Sequence, residues 1–178
     1  MNRIMVMGAS AGAGKSTFAK KLGEILDYEV YHLDALFWKP GWIEASLDEF
    51  RTSQEKIAST SRWIIEGNYS NSYDIRVAQA DTIIYIDAPR LLCLYRVLKR
   101  WMTHIGKTRS DMGKGCNEKM EWSFLTFIWT TYYPPKEKMK KRFEEIQQTS
   151  PEKKIILLQN KSETANFLHE LQTKHTNL

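Results

Sequence analysis

Cysteine is scarce in this chain, long apolar runs are missing, and nothing repeats. The 178 residues hold two cysteines, Cys93 and Cys116, with no CxxC spacing. That argues against a disulfide scaffold or a cysteine-ligated metal, and points to a reducing, cytoplasmic setting. The four histidines, His32, His104, His169 and His175, form no ligand-type cluster, so the sequence assigns them no role. The most apolar later stretch, Trp122 to Tyr133, is too short for a bilayer span and contains Ser123 and three threonines. The first residues lack the layout of a secretion signal, because their apolar run ends in glycines. No repeat, low-complexity tract or Gly/Ser linker divides the chain, so one domain covering 1–178 is expected.

The composition that remains, 42% hydrophobic and 26% charged with a net charge of +5, suits one α/β domain and an anionic partner, nucleotide or nucleic acid. A stretch near the start bears on that choice. Arg3 to Met7 is a short apolar run, Gly8-Ala9-Ser10-Ala11-Gly12-Ala13-Gly14 a glycine-rich turn, and Lys15-Ser16-Thr17 opens an amphipathic pattern to about Leu26. Strand, loop and helix in that order are the setting of a phosphate-binding (Walker A) loop. Glycines let successive N–H groups curl round an anion, and the helix N-terminus adds donors and partial positive charge. Ala9, Ser10, Ala11, Gly12, Ala13, Gly14, Lys15, Ser16 and Thr17 are therefore the expected nucleotide-binding residues. Lys15 is expected at the β- and γ-phosphates of ATP, and Ser16 at Mg²⁺. The strict motif has glycine where this chain has Ala9, with Gly8 one place early. Alanine fits there if its φ stays negative.

Downstream, short apolar runs alternate with helical patterns. Tyr28 to Leu33 reads as a second strand delivering Asp34, followed by an aromatic loop, Phe37-Trp38-Lys39-Pro40-Gly41-Trp42. Ser46-Leu47-Asp48-Glu49 is a capping box for a helix to about Ser59. Trp63-Ile64-Ile65 is a third strand ending at Glu66, and Thr82 to Ile86 a fourth ending at Asp87. A helix from Arg90 to about Thr103 precedes a polar, glycine-bearing segment, His104 to Asn117, that reads as a flexible loop. Two helical segments broken by Pro134-Pro135, a fifth strand at Lys154 to Leu158 and a last helix at Ser162 to Leu171 complete the chain. Such alternation implies a parallel sheet with helices on both faces, with ligands beyond the C-terminal strand ends. That rule gathers Asp34, Glu66 and Asp87 near the phosphate loop.

Phosphoryl transfer needs charge neutralisation, positioning and exclusion of water more than covalent help. Asp34 is a candidate to accept a substrate hydroxyl's proton or to hold Mg²⁺ through water, with an Asx turn or helix cap as the structural alternative. Glu66, after an apolar strand, is a candidate Mg²⁺ group. Arg96, Arg100 and Arg109 flank or occupy the glycine-bearing segment, where guanidiniums could clamp the transferred phosphoryl group. Phe37, Trp38 and Trp42 either stack on a substrate ring or belong to the core.

The chain resembles the adenylate-kinase-like nucleotide and metabolite kinases. The stretches Gly8 to Thr17, His32-Leu33-Asp34-Ala35-Leu36-Phe37-Trp38 and Trp63-Ile64-Ile65-Glu66-Gly67-Asn68-Tyr69 are similar to the bacterial DNA topology modulation protein (FlaR-like) family. The resemblance extends through Thr108-Arg109-Ser110-Asp111-Met112 to the last helix. It implies a three-layer P-loop NTPase fold with a five-stranded sheet in the order 2-3-1-4-5. It also implies a lid at roughly 104–117, with Arg100 and Arg109 the candidate lid arginines, and an adenine contact from Asn160 and Lys161. The Asp-Gly-Phe-Pro-Arg stretch of adenylate kinases is reduced here to Glu66-Gly67-Asn68-Tyr69, without its arginine, which argues against adenylate kinase activity itself. The expectation is an ATP- and Mg²⁺-dependent kinase acting on a small molecule, a nucleoside or nucleotide being the leading class. The alternatives are a nucleotide-gated regulator of DNA topology and an NTPase switch without an acceptor. The regulator finds no helix-turn-helix or zinc spacing in support.

Overall fold

The computed structural model describes residues 1–109, 111–113, 115–117, 122–130 and 132–176. β1 (Arg3–Gly8) is buried along almost its whole length, as a central parallel strand must be. It leads into α1 (Lys15–Leu26), which turns Phe18, Ala19, Leu22 and Leu26 inward at helical spacing. β2 (Val30–His32) and α2 (Leu33–Phe37) precede a small antiparallel hairpin of β3 (Trp38–Lys39) and β4 (Ile43–Glu44). α3 (Leu47–Ala58) starts at the capping box read from sequence. Ser46 Oγ accepts from the Glu49 N–H at 3.2 Å, and Glu49 Oε2 accepts from the Ser46 N–H at 2.9 Å. Next come β5 (Trp63–Glu66), α4 (Tyr73–Gln79), β6 (Thr82–Ile86) and α5 (Arg90–His104). α6 (Trp122–Thr130), α7 (Tyr133–Thr149), β7 (Lys154–Leu158) and α8 (Lys161–Thr176) follow.

Five strands form one parallel sheet in the order β2-β5-β1-β6-β7. Numbered among themselves along the chain, these are 2-3-1-4-5, the order that the resemblance implies. Helices flank the sheet, and Ile4, Met5, Ile64, Ile65, Ile83 and Ile84 at its centre are closed to solvent. The register matters for the site. Val6 lies opposite Glu66 on one side and Ile84 on the other, while His32 lies opposite Glu66. β2 and β5 therefore end level with the start of the glycine loop.

Several expectations change. The second strand is only Val30–His32, so Asp34 sits in the first turn of α2 and not at a strand end. The aromatic loop is the β3–β4 hairpin, turned by Gly41 and Trp42 at φ of 80° and 64°. α4 was not foreseen. The two helical segments expected on either side of Pro134-Pro135 are α6 and α7, and the prolines lie in the first turn of α7, where N–H groups have no helical partner to lose. Described residues of the segment expected to be a flexible loop touch the hairpin. Thr108 bridges to Asn117, Cys116 Sγ lies 3.2 Å from the Lys39 carbonyl oxygen, and Trp42 Nε1 donates to Asn117 O at 3.0 Å. A Cβ on Gly113 would come within 1.9 Å of the Trp38 oxygen, so only glycine permits this approach. Ser110 and Lys114 of this segment lie outside the described residues. Among the described residues, no helix is long and apolar enough to cross a membrane.

Candidate phosphoryl-transfer site

The glycine loop leaves β1 with its first residue clamped. Asn68 Oδ1 accepts from the Gly8 N–H at 3.1 Å, and Asn68 Nδ2 donates to the Gly8 carbonyl at 2.7 Å. Ala9 is not among the positive-φ residues, so alanine fits at the position where the strict motif has glycine. Gly12, at φ 78°, is indispensable on two counts, since a Cβ would also lie 2.3 Å from the Cys93 oxygen of α5. α1 has no side-chain cap and no acidic residue in its first turn, unlike α3. Its N-terminal field is thus available to an anion. Lys15 Nζ donates to the Ser10 carbonyl at 3.1 Å, which draws the ammonium across the loop. Arg96 Nη1 donates to Ala13 O at 3.0 Å and bonds Gly12 O at 3.4 Å, bracing the loop against α5.

Two acidic centres flank this loop. Ser16 Oγ donates to Glu66 Oε2 at 3.1 Å, and the same oxygen lies 2.9 Å from His32 Nδ1. Burial disfavours the charged His32 ring, but the hydrogen bond and charge of Glu66, helped by Asp111 and Asp34, outweigh it and raise its pKa. Asp34 Oδ1 accepts from the Tyr69 hydroxyl at 2.8 Å. Burial first, and then repulsion from Glu66, raise the Asp34 pKa, while Tyr69, Lys15 and Arg109 pull it down. Such a carboxylate is a stronger base than an ordinary aspartate. A cavity of about 250 Å³ opens beside these groups, lined by Ser16, Lys20, His32, Arg100, Arg109 and Asp111 among others. Arg109 Nη1 pairs with Asp111 at 3.0 Å, and both side chains are largely buried.

Comparison with solved structures identifies the fold that carries this arrangement. The chain superposes on a gluconokinase from Sinorhizobium meliloti 1021 with a TM-score of 0.52, covering 99% of this chain and 92% of that one at 16% identity. A shikimate kinase from Acinetobacter baumannii, in complex with shikimate, gives 0.51 over 99% and 95% at 14% identity. A deoxyadenosine kinase from M. mycoides with bound dATP gives 0.50 over 96% and 99% at 16% identity. The fold is that of the P-loop kinases. No family model matches the chain, and no curated protein matches it significantly in sequence. At these identities the likeness carries the architecture alone.

Within that P-loop kinase fold, Lys15, Ser16, Asp34, Glu66, Arg100 and Arg109 come together at one end of the sheet. Asn160 and Lys161 follow β7 on its far edge and do not join the cluster. Asn160 caps α8, its Oδ1 accepting from the Glu163 N–H at 2.9 Å. Phe37 packs its ring on Phe50 and Tyr69, and Trp38 on Trp42, so these aromatics pack chiefly on one another. Sequence reasoning missed His32, Asn68 and Arg76. His32 showed no ligand-type spacing, because its partner Glu66 is one strand away. Arg76 is fully buried, donates to Gly67 O at 2.9 Å and Tyr69 O at 2.6 Å, and so holds the turn that carries Asn68 and Tyr69. Burial pushes its pKa down to about 10. Nothing local in the sequence marks it.

The donor set suits magnesium. Ser16 Oγ and Glu66 Oε2 are hard oxygen atoms already 3.1 Å apart. No group of three or more His, Cys, Asp or Glu side chains forms a metal cage among the described residues. Mg²⁺ takes one or two protein oxygens and completes its shell with water and phosphate, so a cage is not required.

Proposed function

We propose that the protein is a kinase that transfers the γ-phosphoryl group of Mg-ATP to a hydroxyl of a small-molecule acceptor. The supporting observation is the pairing of Ser16 with Glu66 beside an Asp34 of raised pKa, aimed by Tyr69. Ala9 to Thr17 cradle the triphosphate, and Lys15 neutralises its β- and γ-oxygens. Ser16 and Glu66 would hold Mg²⁺, which would supply charge neutralisation to the triphosphate. Asp34 takes the proton of the acceptor hydroxyl. Arg100 and Arg109 face the transferred group, with 104–117 as a lid that excludes water. Asn160 and Lys161, in the turn after β7, are the adenine contacts of this reading, as the family resemblance implies. The two free, buried cysteines agree with a cytoplasmic setting.

A nucleoside or nucleotide is the first acceptor class to test. The three structural neighbours are named for three different acceptors, so their names do not choose among them. A role in DNA topology, suggested by the family resemblance, draws on the net charge of +5. Duplex binding that falls steeply with salt would favour it. The deciding experiment is a γ-phosphate transfer screen across nucleosides, nucleoside monophosphates and hydroxylated metabolites, with Lys15→Ala as the blank. One acceptor labelled well above the blank is expected; turnover retained by Lys15→Ala would sink the assignment.

A further inference from the structure

The outward face of α5 is apolar, and the kinase reading makes no use of it. Leu91, Tyr95, Leu98 and Met102 recur at i, i+4, i+7 and i+11, which places them on one stripe, and all four are exposed. The opposite face is the one that meets the protein, with Cys93 and Val97 buried and Arg96 on the glycine loop. α6 packs beside α5 and is pinned there by Arg90, whose guanidinium stands 3.6 Å from the Trp129 ring centroid. It adds two exposed aromatics beside α5, Trp129 and Trp122, the latter 82% exposed.

Charge narrows the choice of occupant. α5 contains no carboxylate, and α6 contains no charged residue at all. The arginines of α5 at the site, Arg96 and Arg100, belong to its inner side, lying on the loop and lining the cavity. A nucleic acid or an acidic peptide would need a cluster of cations on the outer face, where α5 contributes Lys99 beside the stripe and Arg90 against Trp129. Scaled by their exposure, the three aromatics, at about 150–250 Å² each when whole, and the three smaller aliphatic side chains together offer roughly 700 Å² per copy. That exceeds the ~300–600 Å² patch usual on a monomer. It approaches the ~800 Å² per partner of a stable interface.

We propose that this face pairs with the same face of a second copy, α5 against α5 about a twofold axis. An almost uncharged stripe is self-complementary, and pairing it sets no row of like charges across the axis. The proposal is independent of the kinase reading, because its test needs no turnover.

Sedimentation velocity on the wild-type chain at micromolar concentration should give twice the mass of one chain. Tyr95→Glu with Leu98→Glu should weaken association by about 100-fold or more and give the single-chain mass, with an unchanged far-UV circular dichroism spectrum. Leu47→Glu, an equal change of polarity on α3, should remain dimeric. If Tyr95→Glu with Leu98→Glu unfolds, Leu91→Glu with Met102→Glu repeats the measurement with the same two outcomes. A wild-type chain that stays single at tens of micromolar overturns the proposal. So does a dimer that survives the paired glutamates. A single wild-type chain that floats with phosphatidylserine-containing vesicles would overturn it in favour of a lipid surface.

Discussion

Replacing Tyr69 by Phe removes one oxygen and leaves the ring. The Tyr69 hydroxyl donates to Asp34 at 2.8 Å, while its ring centroid lies 4.9 Å from those of both Phe37 and Phe50. Phenylalanine keeps that packing, so the fold should hold. A hydrogen bond to a charged acceptor is worth about 1.5–3 kcal/mol, or about one to two pH units at ~1.36 kcal/mol each. The bond favours the ionised carboxylate, opposing burial and Glu66, so losing it moves the Asp34 pKa further up. If Asp34 is the base, the acid limb of the kcat/KM profile should move up by about one to two pH units. Well below the limb the rate should fall by about 10- to 100-fold, and at alkaline pH it should return to within a few-fold of wild type. A carbon-13 titration of the Asp34 carboxyl follows the same change without turnover. An unmoved titration would refute the argument, and an equal loss of rate at every pH would place Tyr69 on the substrate instead.

Asp34→Asn separates stability from activity. The raised folded pKa means that the native state binds this proton more tightly than the unfolded chain. Its contribution is full below the ordinary aspartate pKa and is lost as pH rises through the folded pKa. The variant should therefore melt higher at neutral pH, by about 2–4 °C for each kcal/mol of repulsion and desolvation removed. The gain should vanish in acid, and transfer should drop by at least ~100-fold; a Tm difference independent of pH would contradict this. Glu66→Gln should raise the Mg²⁺ concentration for half-maximal rate by about tenfold. It should also bring the His32 pKa down, which ring-proton NMR reads directly. In the wild type the His32–Glu66 pair stabilises fully below the ordinary histidine pKa and is lost as pH rises through the folded value. Arg76→Met strands the Gly67 and Tyr69 carbonyls, costing about 2–4 kcal/mol. Calorimetry should show a Tm lower by about 5–15 °C.

Features confined to one turn of chain were legible in the sequence. The glycine loop, the Ser46–Glu49 capping box, α5 and the strands at 63–66, 82–86 and 154–158 all came from spacing that spans a few residues. The alternation of those elements implied the parallel sheet, because a parallel pair needs a crossover and a helix supplies it. Boundaries failed where packing overrode the local pattern. Leu33 is apolar and read as strand, yet it is fully buried at the start of α2, under Gly67. The aromatic run at 37–42 contributes to a hairpin that Cys116 and Asn117 contact from far along the chain.

The sequence by itself determined the glycine loop and the kind of sheet that carries it, since both follow from backbone freedom and periodicity along the chain. Only the tertiary structure decided the partners. Strand register set His32 opposite Glu66, Asn68 reached back sixty residues to Gly8, and Tyr69 met Asp34 across the end of the sheet. Those pairings depend on which strands are neighbours and at what offset, and no residue's own neighbourhood in the chain carries that information.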